Sequence, residues 1–265
     1  MPDAPIVRVV KARTYLRPAS GGGSQSFFIK ADDGAEYLLK NQANPQGLHT
    51  LVNEVIGSSI ARLAGAPTPE SVLIEVEPDF LAVSNLPNVP AGLHFGSKCI
   101  LDMVGPARAM IPQVSKTHQF AHVIASDAVT NNSDRNNNGN FLIRVADQAT
   151  RRLEFIAIDF GHCFGHTWDA SIVNQTGWCG SMLSEMVPFI AGEQPFAEPI
   201  KACKRISQGT VDAIVDAIPA SWNLTAPKCT AMRQYLLNRL QTIDQLLEAH
   251  RGSFPTWKKK DNTNP

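Results

Sequence analysis

Residues 132–140 read NSDRNNNGN and residues 157–161 read AIDFG, and these two segments decide the fold. The first segment ends where the strand-like residues 141–145 (FLIRV) begin. The second segment ends an apolar, strand-like run that starts at Glu154. Short apolar runs bounded by turn-forming residues are typical of β-strands. The sequence therefore predicts that two polar loops meet at the ends of neighbouring strands.

The N-terminal part of the chain predicts an antiparallel sheet. Apolar and polar residues alternate on both sides of residues 20–26 (SGGGSQS), which we interpret as a flexible turn. Residues 32–34 (DDG) form a hairpin signal that joins residues 27–30 to residues 37–40. Apolar residues then recur at helical spacing over residues 48–64. One helix is thus expected to interrupt the strands.

The order of the later segments predicts an α+β fold with two lobes. Strand character returns at residues 71–77 and 80–84, and residues 85–96 (NLPNVPAGLHFG) are rich in Pro and Gly, which favours a connector. We therefore expect a β-rich lobe with one helix over residues 1–96 and a mostly helical lobe over residues 97–265. Helices are predicted in the second lobe at residues 117–129, 209–218 and 227–250.

Composition excludes several classes of protein. The 265 residues carry 24 Lys and Arg against 24 Asp and Glu, so no net charge attracts nucleic acid or anionic lipid. The five cysteines are widely spaced and form no C-x-x-C pair, which predicts neither a disulfide framework nor a thiolate zinc site. No secretory leader and no apolar run of about 18 to 20 residues is visible. We expect a cytoplasmic protein that neither spans a membrane nor binds nucleic acid.

The residue types at these positions fit the chemistry of phosphoryl transfer. A triphosphate must be covered by backbone that approaches closely, which glycine permits, and its charge must be offset by a lysine held on a strand. The glycine-rich turn fits the first role and Lys40 fits the second. The candidate nucleotide-covering residues are Gly21, Gly22, Gly23 and Ser24.

Acidic and amide side chains complete the candidate site. Glu54 is the acid of the predicted helix at residues 48–64, and we expect it to hold Lys40 in place. Asn140 and Asp159 offer the hard oxygen ligands that Mg²⁺ prefers, and Asp134 is placed to accept the proton of an attacking hydroxyl. Each residue alone has a plainer interpretation as a turn or a surface charge. Their joint order favours nucleotide binding.

These segments resemble the HipA-like kinases, which have a two-lobed protein-kinase-like fold related to that of the phosphatidylinositol kinases. Residues 132–140 are similar to the family's catalytic loop, N-x-D-x-x-x-x-N, and residues 157–161 to its metal-binding D-[FY]-G. Further similar segments are YLLK at 37–40, NE at 53–54, AGAPTP at 64–69, HFGS at 94–97 and IPASW at 218–222.

The resemblance implies a role for each candidate residue. It implies ATP and Mg²⁺ as cofactors, with Asp134 as catalytic base and Lys40 contacting phosphates while Glu54 anchors it. It also implies Asn140 and Asp159 as magnesium ligands. Asp134 lies six residues before Asn140, where relatives have five, so Asn138 is the alternative ligand. Asn140 is favoured because it directly precedes a predicted strand.

The chain also departs from the family in two other places. Asn136 stands where relatives often have His. The nucleotide-covering turn begins within the first few tens of residues, which predicts a small form without the N-terminal subdomain of HipA toxins. Pairing with an antitoxin is therefore not implied, and any regulatory partner would be a separate protein.

We expect a kinase that transfers the γ-phosphoryl group to a hydroxyl, with Ser or Thr of a protein as acceptor. Residues 163–192 contain no Lys or Arg, which disfavours a lipid acceptor. The alternatives are a nucleotide-binding regulator without catalysis, and a small-molecule or lipid kinase. His162, Cys163 and His166 could also suggest zinc, but hydrogen bonding near the catalytic loop is the favoured interpretation.

Overall fold

Strands close into a small barrel in the N-terminal part of the computed structural model, which describes residues 7–19, 25–84, 86 and 88–258. The order around the barrel is β1-β2-β3-β5-β4, and β4 closes it by pairing in parallel with β1. The other neighbours pair antiparallel. The strands are β1 (Arg8–Pro18), β2 (Phe27–Ala31), β3 (Glu36–Lys40), β4 (Ser71–Val76) and β5 (Gly92–Lys98).

The predicted helix at residues 48–64 is confirmed as α1 (Leu48–Leu63). Nearly every residue of its middle turns is buried, because the helix lies between the barrel and the helical part of the chain. The chain leaves the helix at Gly65, two residues after its last residue, and the φ of 84° at Gly65 allows the N–H of Ala66 to donate to the Ala61 carbonyl at 2.9 Å. Such a left-handed residue is the common way to end a helix, and glycine adopts it without strain.

The predicted strand at residues 80–84 is wrong, because this segment belongs to helix α2 (Pro78–Ser84). Pro78 and Asp79 are favourable residues for a first helical turn, and they outweigh the short apolar run that suggested a strand. Phe80 is the buried residue of this helix, and Val83 is largely exposed.

The predicted connector over residues 85–96 is wrong in its last part, which forms the beginning of β5. This strand pairs with both β3 and β4 inside the barrel. Gly96 is required there, since a Cβ atom would lie 2.4 Å from Cδ1 of Ile74. The sequence did not reveal this strand, because a strand that is paired on both sides needs no alternation of polar and apolar residues. The division of the chain at residue 96 stays a prediction.

The remaining chain forms a three-stranded antiparallel sheet, in the order β6-β7-β8, and a group of helices. The predicted helix at residues 227–250 is two helices that meet at Thr242. The short helix α4 (Ala197–Lys204) was not predicted, because only two of its residues, Pro199 and Cys203, are buried, and two residues are too few to mark a helical period. The elements are β6 (Met103–Gly105), α3 (Gln119–Thr130), β7 (Phe141–Asp147), β8 (Arg152–Ala157), α4 (Ala197–Lys204), α5 (Gln208–Asp216), α6 (Ala226–Gln241) and α7 (Ile243–Ala249).

His94 of β5 is a buried histidine that is neutral in the fold. Its Nδ1 accepts a hydrogen bond from the N–H of Gln42 at 3.1 Å, and its Nε2 lies 2.9 Å from the Pro90 carbonyl. Burial lowers the pKa of His94 to about 4. The unfolded chain, whose histidine titrates near 6.5, therefore binds a proton before the folded chain does as the pH falls.

We expect His94 to make the fold sensitive to acid. Between pH 7.5 and pH 5 the unfolded state gains more protons at this residue, so wild type loses about 2 kcal/mol of stability through it. Urea unfolding of wild type and His94→Gln at both pH values measures this contribution. The variant should lose less stability than wild type over the same interval, and an equal loss would contradict a neutral buried His94.

Candidate active site

Three charged side chains from separate elements meet at one point of the structure. Lys40 ends β3, Glu54 lies on α1, and Asp159 follows β8. The Lys40 ammonium donates to Oε1 of Glu54 and lies 3.2 Å from Oδ2 of Asp159. Oε2 of Glu54 accepts the N–H of Phe160 at 3.1 Å. Glu54 thus joins the lysine strand to the turn that carries Asp159.

Burial and charge work against each other in this group. Burial alone would lower the pKa of Lys40, but the carboxylates of Glu54 and Asp159 raise it above its ordinary value. Burial tends to raise the pKa of Asp159, and Lys40 outweighs this effect and lowers it. Both groups are therefore charged at neutral pH. Burial raises the pKa of Glu54 above its ordinary value, and the neighbouring Asp159 carboxylate raises it further, although Lys40 lowers it.

The turn after β8 packs directly on α1. Asp159 has a positive φ of 57°, which a non-glycine residue adopts at a cost. A Cβ atom on Gly161 would lie 2.7 Å from Cγ2 of Thr50, and one on Gly57 would lie 2.7 Å from Cβ of Phe160. Glycine at both positions therefore permits the close approach that brings Glu54 to the turn.

Asn53, next to Glu54, holds the residues that follow this turn. Its amide nitrogen lies within 2.9 to 3.0 Å of the carbonyl oxygens of Gly161, Cys163 and His166. Its side-chain oxygen accepts the indole N–H of Trp168 at 3.0 Å. One fully buried amide thus fixes a segment more than a hundred residues away along the chain. The sequence suggested no such role for Asn53.

We expect Asn53→Asp to weaken the fold by about 2 to 3 kcal/mol. The variant keeps an acceptor for Trp168, but it loses the amide donors and places a carboxylate against three carbonyl oxygens. Urea unfolding measures the loss. The control is Asn174→Asp at an exposed asparagine, which should change stability by no more than a few tenths of a kcal/mol. Equal effects of the two substitutions would contradict the role of Asn53.

Asp134 and Asn140 are hydrogen-bonded to each other across the polar loop. The Asn140 amide nitrogen donates to the main-chain oxygen of Asp134 at 2.7 Å and to its Oδ2 at 2.9 Å. The Asp134 N–H donates to Oδ1 of Asn132 at 3.1 Å. Asn138 points elsewhere, since its Oδ1 accepts a hydrogen bond from Arg108. Asn140 is buried, and its hydrogen bonds hold it directly against Asp134.

Arg135 is a fully buried residue that connects the two polar loops. It pairs with Asp127 of α3 at 2.7 Å and donates to the main-chain oxygens of Asn140 and Ile158, the latter at 2.8 Å. Its guanidinium carbon lies 5.0 Å from the centroid of the Phe160 ring. Sequence reasoning missed this role, although an aspartate within the apolar helix α3 signals a buried partner.

A cavity of about 810 Å³ brings the candidate residues together. Lys40, Glu54, Asp134, Asn140 and Asp159 all line it. Apolar side chains line the cavity as well, and sequence reasoning did not single them out. They include Phe28, Leu38, Phe95, Met103 and Leu142.

The predicted nucleotide-covering turn falls outside the described residues. Gly21, Gly22, Gly23 and Ser24 are the residues concerned.

Kinases are among the solved structures to which this chain is similar. A proinflammatory kinase of Helicobacter pylori, CtkA, is similar with a TM-score of 0.53 and 12% identity, over 86% of this chain and 93% of that chain. The Golgi casein kinase is similar with a TM-score of 0.43 and 12% identity, over 96% of this chain and 76% of that chain. Its Mn/ADP-bound form is similar with a TM-score of 0.42 and 11% identity, over 92% of this chain and 74% of that chain. At such identities the likeness to CtkA concerns the fold, which is kinase-like and α+β.

The family model of the HipA-like kinases matches residues 13–258. The chain belongs to the HipA-like kinase family, as the two polar loops predicted. No curated protein sequence matches the chain significantly.

The described residues show neither a membrane-spanning helix nor a ready-made cluster of metal ligands. No helix in this part of the chain is long and apolar enough to cross a membrane. No group of three or more His, Cys, Asp and Glu side chains is arranged there to hold a metal ion. The rings of His162 and His166 stack with centroids 4.4 Å apart, and Cys163 is buried, which raises the pKa of its thiol.

Proposed function

We propose that this HipA-like kinase uses ATP and Mg²⁺ to phosphorylate Ser or Thr of a protein. The observation that carries the proposal is that one cavity is lined by two clusters of polar and charged side chains. These are Lys40 with Glu54 and Asp159, and Asp134 with Asn140.

The cavity fits a nucleotide in size and in lining. Its volume of about 810 Å³ lies in the range of ligand sites, and its apolar walls suit a purine base. Lys40 is held by Glu54, so its ammonium stays directed at the cavity, where it would contact phosphate oxygens. The turn of Gly21, Gly22, Gly23 and Ser24 would cover the phosphates.

The donor atoms available in the cavity fit Mg²⁺, which prefers hard oxygen ligands. The Asn140 amide nitrogen is used by Asp134, so its amide oxygen is the atom left for a cation. Asp159 supplies a carboxylate whose pKa is lowered by Lys40. Asn138 is held by Arg108, which favours Asn140 as the ligand. The ion would offset the negative charge of the phosphates.

Asp134 would act as the base that takes the proton of the acceptor hydroxyl. Its Oδ2 accepts hydrogen bonds from Asn140 at 2.9 Å and from Asn137 at 3.4 Å, and these bonds orient the carboxylate. Arg135 holds the loop against the end of β8, so Asp134 keeps its position relative to Asp159. This arrangement requires no covalent intermediate on the protein.

The distribution of charge along the chain supports a protein as the phosphoryl acceptor. The chain has no net charge, and residues 163–192 contain no Lys or Arg to attract a lipid head group. A protein hydroxyl is therefore the acceptor that we propose. We also propose a cytoplasmic location, no role in nucleic-acid binding, and control by a separate regulatory partner.

Label transfer from [γ-³²P]ATP tests the proposal. The chain is incubated with Mg²⁺ and labelled ATP, either with a cell protein fraction or with a metabolite fraction. We expect label on protein Ser or Thr, identified by phosphoamino-acid analysis. Label that appears only in small molecules would overturn the protein acceptor. Absence of transfer to either fraction, and to the chain itself, would overturn the enzymatic function.

A further inference from the structure

Arg108 is a charged side chain near the candidate active site that the proposed chemistry does not use. It is the first residue of a 3₁₀ helix (Arg108–Gln113). Its guanidinium reaches the polar loop that carries Asp134 and Asn140. The side chain is 30% exposed, and it does not line the cavity of the candidate site. Any effect of Arg108 on this site must therefore pass through other residues.

Four acceptor atoms surround the Arg108 guanidinium. Its Nη2 donates to the main-chain oxygen of Asn136 and, at 2.9 Å, to Oδ1 of the same residue. Its Nε donates to Oδ1 of Asn138. Its Nη1 lies 3.5 Å from Oε1 of Glu185, in a second 3₁₀ helix (Ser184–Phe189). A planar guanidinium bonds several fixed acceptors at once, which an ammonium does less well.

The part of the loop that Arg108 contacts has little other support. Residues 136–139 are four consecutive exposed residues between Asp134 and the buried Asn140. Two tight turns shape them, since the N–H of Asn137 donates to the Asp134 carbonyl at 3.0 Å and the N–H of Asn140 donates to the Asn137 carbonyl at 3.1 Å. Exposed turns open readily, because few buried contacts hold them. Arg108 bonds the residues on both sides of Asn137, so it ties both turns to the rest of the fold.

We infer that Arg108 is a positioning residue for phosphoryl transfer, a role that rests on the proposed function. By holding residues 136 and 138, it keeps the Asp134 carboxylate in place for the acceptor hydroxyl and the Asn140 amide oxygen in place for Mg²⁺. Ser181 adds a longer contact to the same loop, because its Oγ accepts the N–H of Asn136 at 3.3 Å. A displacement of about 1 Å between reacting groups can cost about a hundredfold in rate.

Arg108→Ala tests this role through the kinetics of label transfer. The variant should lower kcat about a hundredfold, and its affinity for ATP in EDTA should stay within about twofold of wild type, because Arg108 does not line the cavity. Arg108→Lys should recover only part of the rate, because an ammonium lacks the planar fork that fits the loop acceptors. Added methylguanidinium should raise the rate of Arg108→Ala and leave that of wild type unchanged.

Two further variants serve as controls. Arg233→Ala alters a side chain of similar exposure, 26%, which pairs with Asp212 and Asp216 outside the cavity. It should keep the wild-type rate and should not respond to methylguanidinium. Glu185→Gln removes only the counter-charge of Arg108, and its rate should stay within about threefold of wild type, because the loop acceptors remain.

Hydrogen exchange of the loop needs no catalysis, so it separates failure of this role from failure of the proposed function. The N–H groups of Asn137 and Asn140 should exchange about tenfold faster in Arg108→Ala than in wild type, at an unchanged midpoint of urea unfolding. A wild-type chain that transfers no label but shows this difference would overturn the proposed function and support the hold of Arg108 on the loop.

Two results would overturn the positioning role itself. The first is unchanged exchange or an unchanged transfer rate in Arg108→Ala. The second is a loss of rate that methylguanidinium does not reverse, together with a lower midpoint of urea unfolding, which would assign Arg108 a general structural role.

Discussion

Asp134→Asn should abolish phosphoryl transfer while ATP binding stays near its wild-type strength. We expect a loss of about a thousandfold in rate, because the variant lacks the carboxylate that we propose as the base for the acceptor hydroxyl. The substituted amide has nearly the same shape as the carboxylate, and its oxygen can still accept the hydrogen bond from Asn140. The loss should therefore come from chemistry. Initial rates of label transfer and calorimetric titration with ATP measure the two quantities.

The control for this substitution is Asp79→Asn, at an exposed carboxylate of α2 that lies outside the candidate site. It should transfer label at the wild-type rate. A transfer rate of Asp134→Asn within a factor of two of wild type would contradict the assignment of the base. A parallel loss of ATP binding would show that Asp134 acts in binding instead.

Asp159→Asn should remove the magnesium-dependent part of ATP binding, which is the second large effect that we expect. In wild type, ATP should bind more tightly with Mg²⁺ than without it, since the carboxylate is charged and faces the cavity. The variant should bind ATP with the same affinity in both conditions, and its transfer rate should fall by at least about a hundredfold. Titration with ATP in Mg²⁺ and in EDTA measures this difference.

Asp159 also lies 3.2 Å from Lys40, so its substitution changes a buried charge group as well. Urea unfolding of the variant separates this structural effect from the loss of the proposed metal ligand. The matched variant is Asn138→Ala, at the alternative ligand, which should keep the magnesium dependence of ATP binding. The proposed ligands would be contradicted if Asn138→Ala lost the magnesium dependence of ATP binding and Asp159→Asn retained it.

Local sequence patterns were sufficient to predict much of the fold. The α+β class, the helix α1 with its end at Gly65, and strands β7 and β8 follow from periodicity and from turn-forming residues. These signals lie within a few residues of the elements that they define. The family resemblance rested on two such local segments, and the match over residues 13–258 bears it out.

Contacts between distant segments could not be predicted from these patterns. Strand β5 was missed because its neighbours β3 and β4, and not its own Pro- and Gly-rich flank, define it. Asn53 and Arg135 have polar side chains that are usually exposed. Their roles depend on carbonyl groups that the fold brings within reach, such as those of Gly161 and Ile158. A single sequence shows the donor but not its partner.

ADP formation from ATP and Mg²⁺ by the wild-type chain is the most direct test of a catalytic cleft. The measurement is made with a protein acceptor fraction, and Asp134→Asn is run in parallel. We predict steady ADP production by wild type, accompanied by protein-bound phosphate, and neither product from the variant. Tight ATP binding by wild type with no ADP formed above the variant's level would contradict catalysis and identify the chain as a nucleotide-binding regulator.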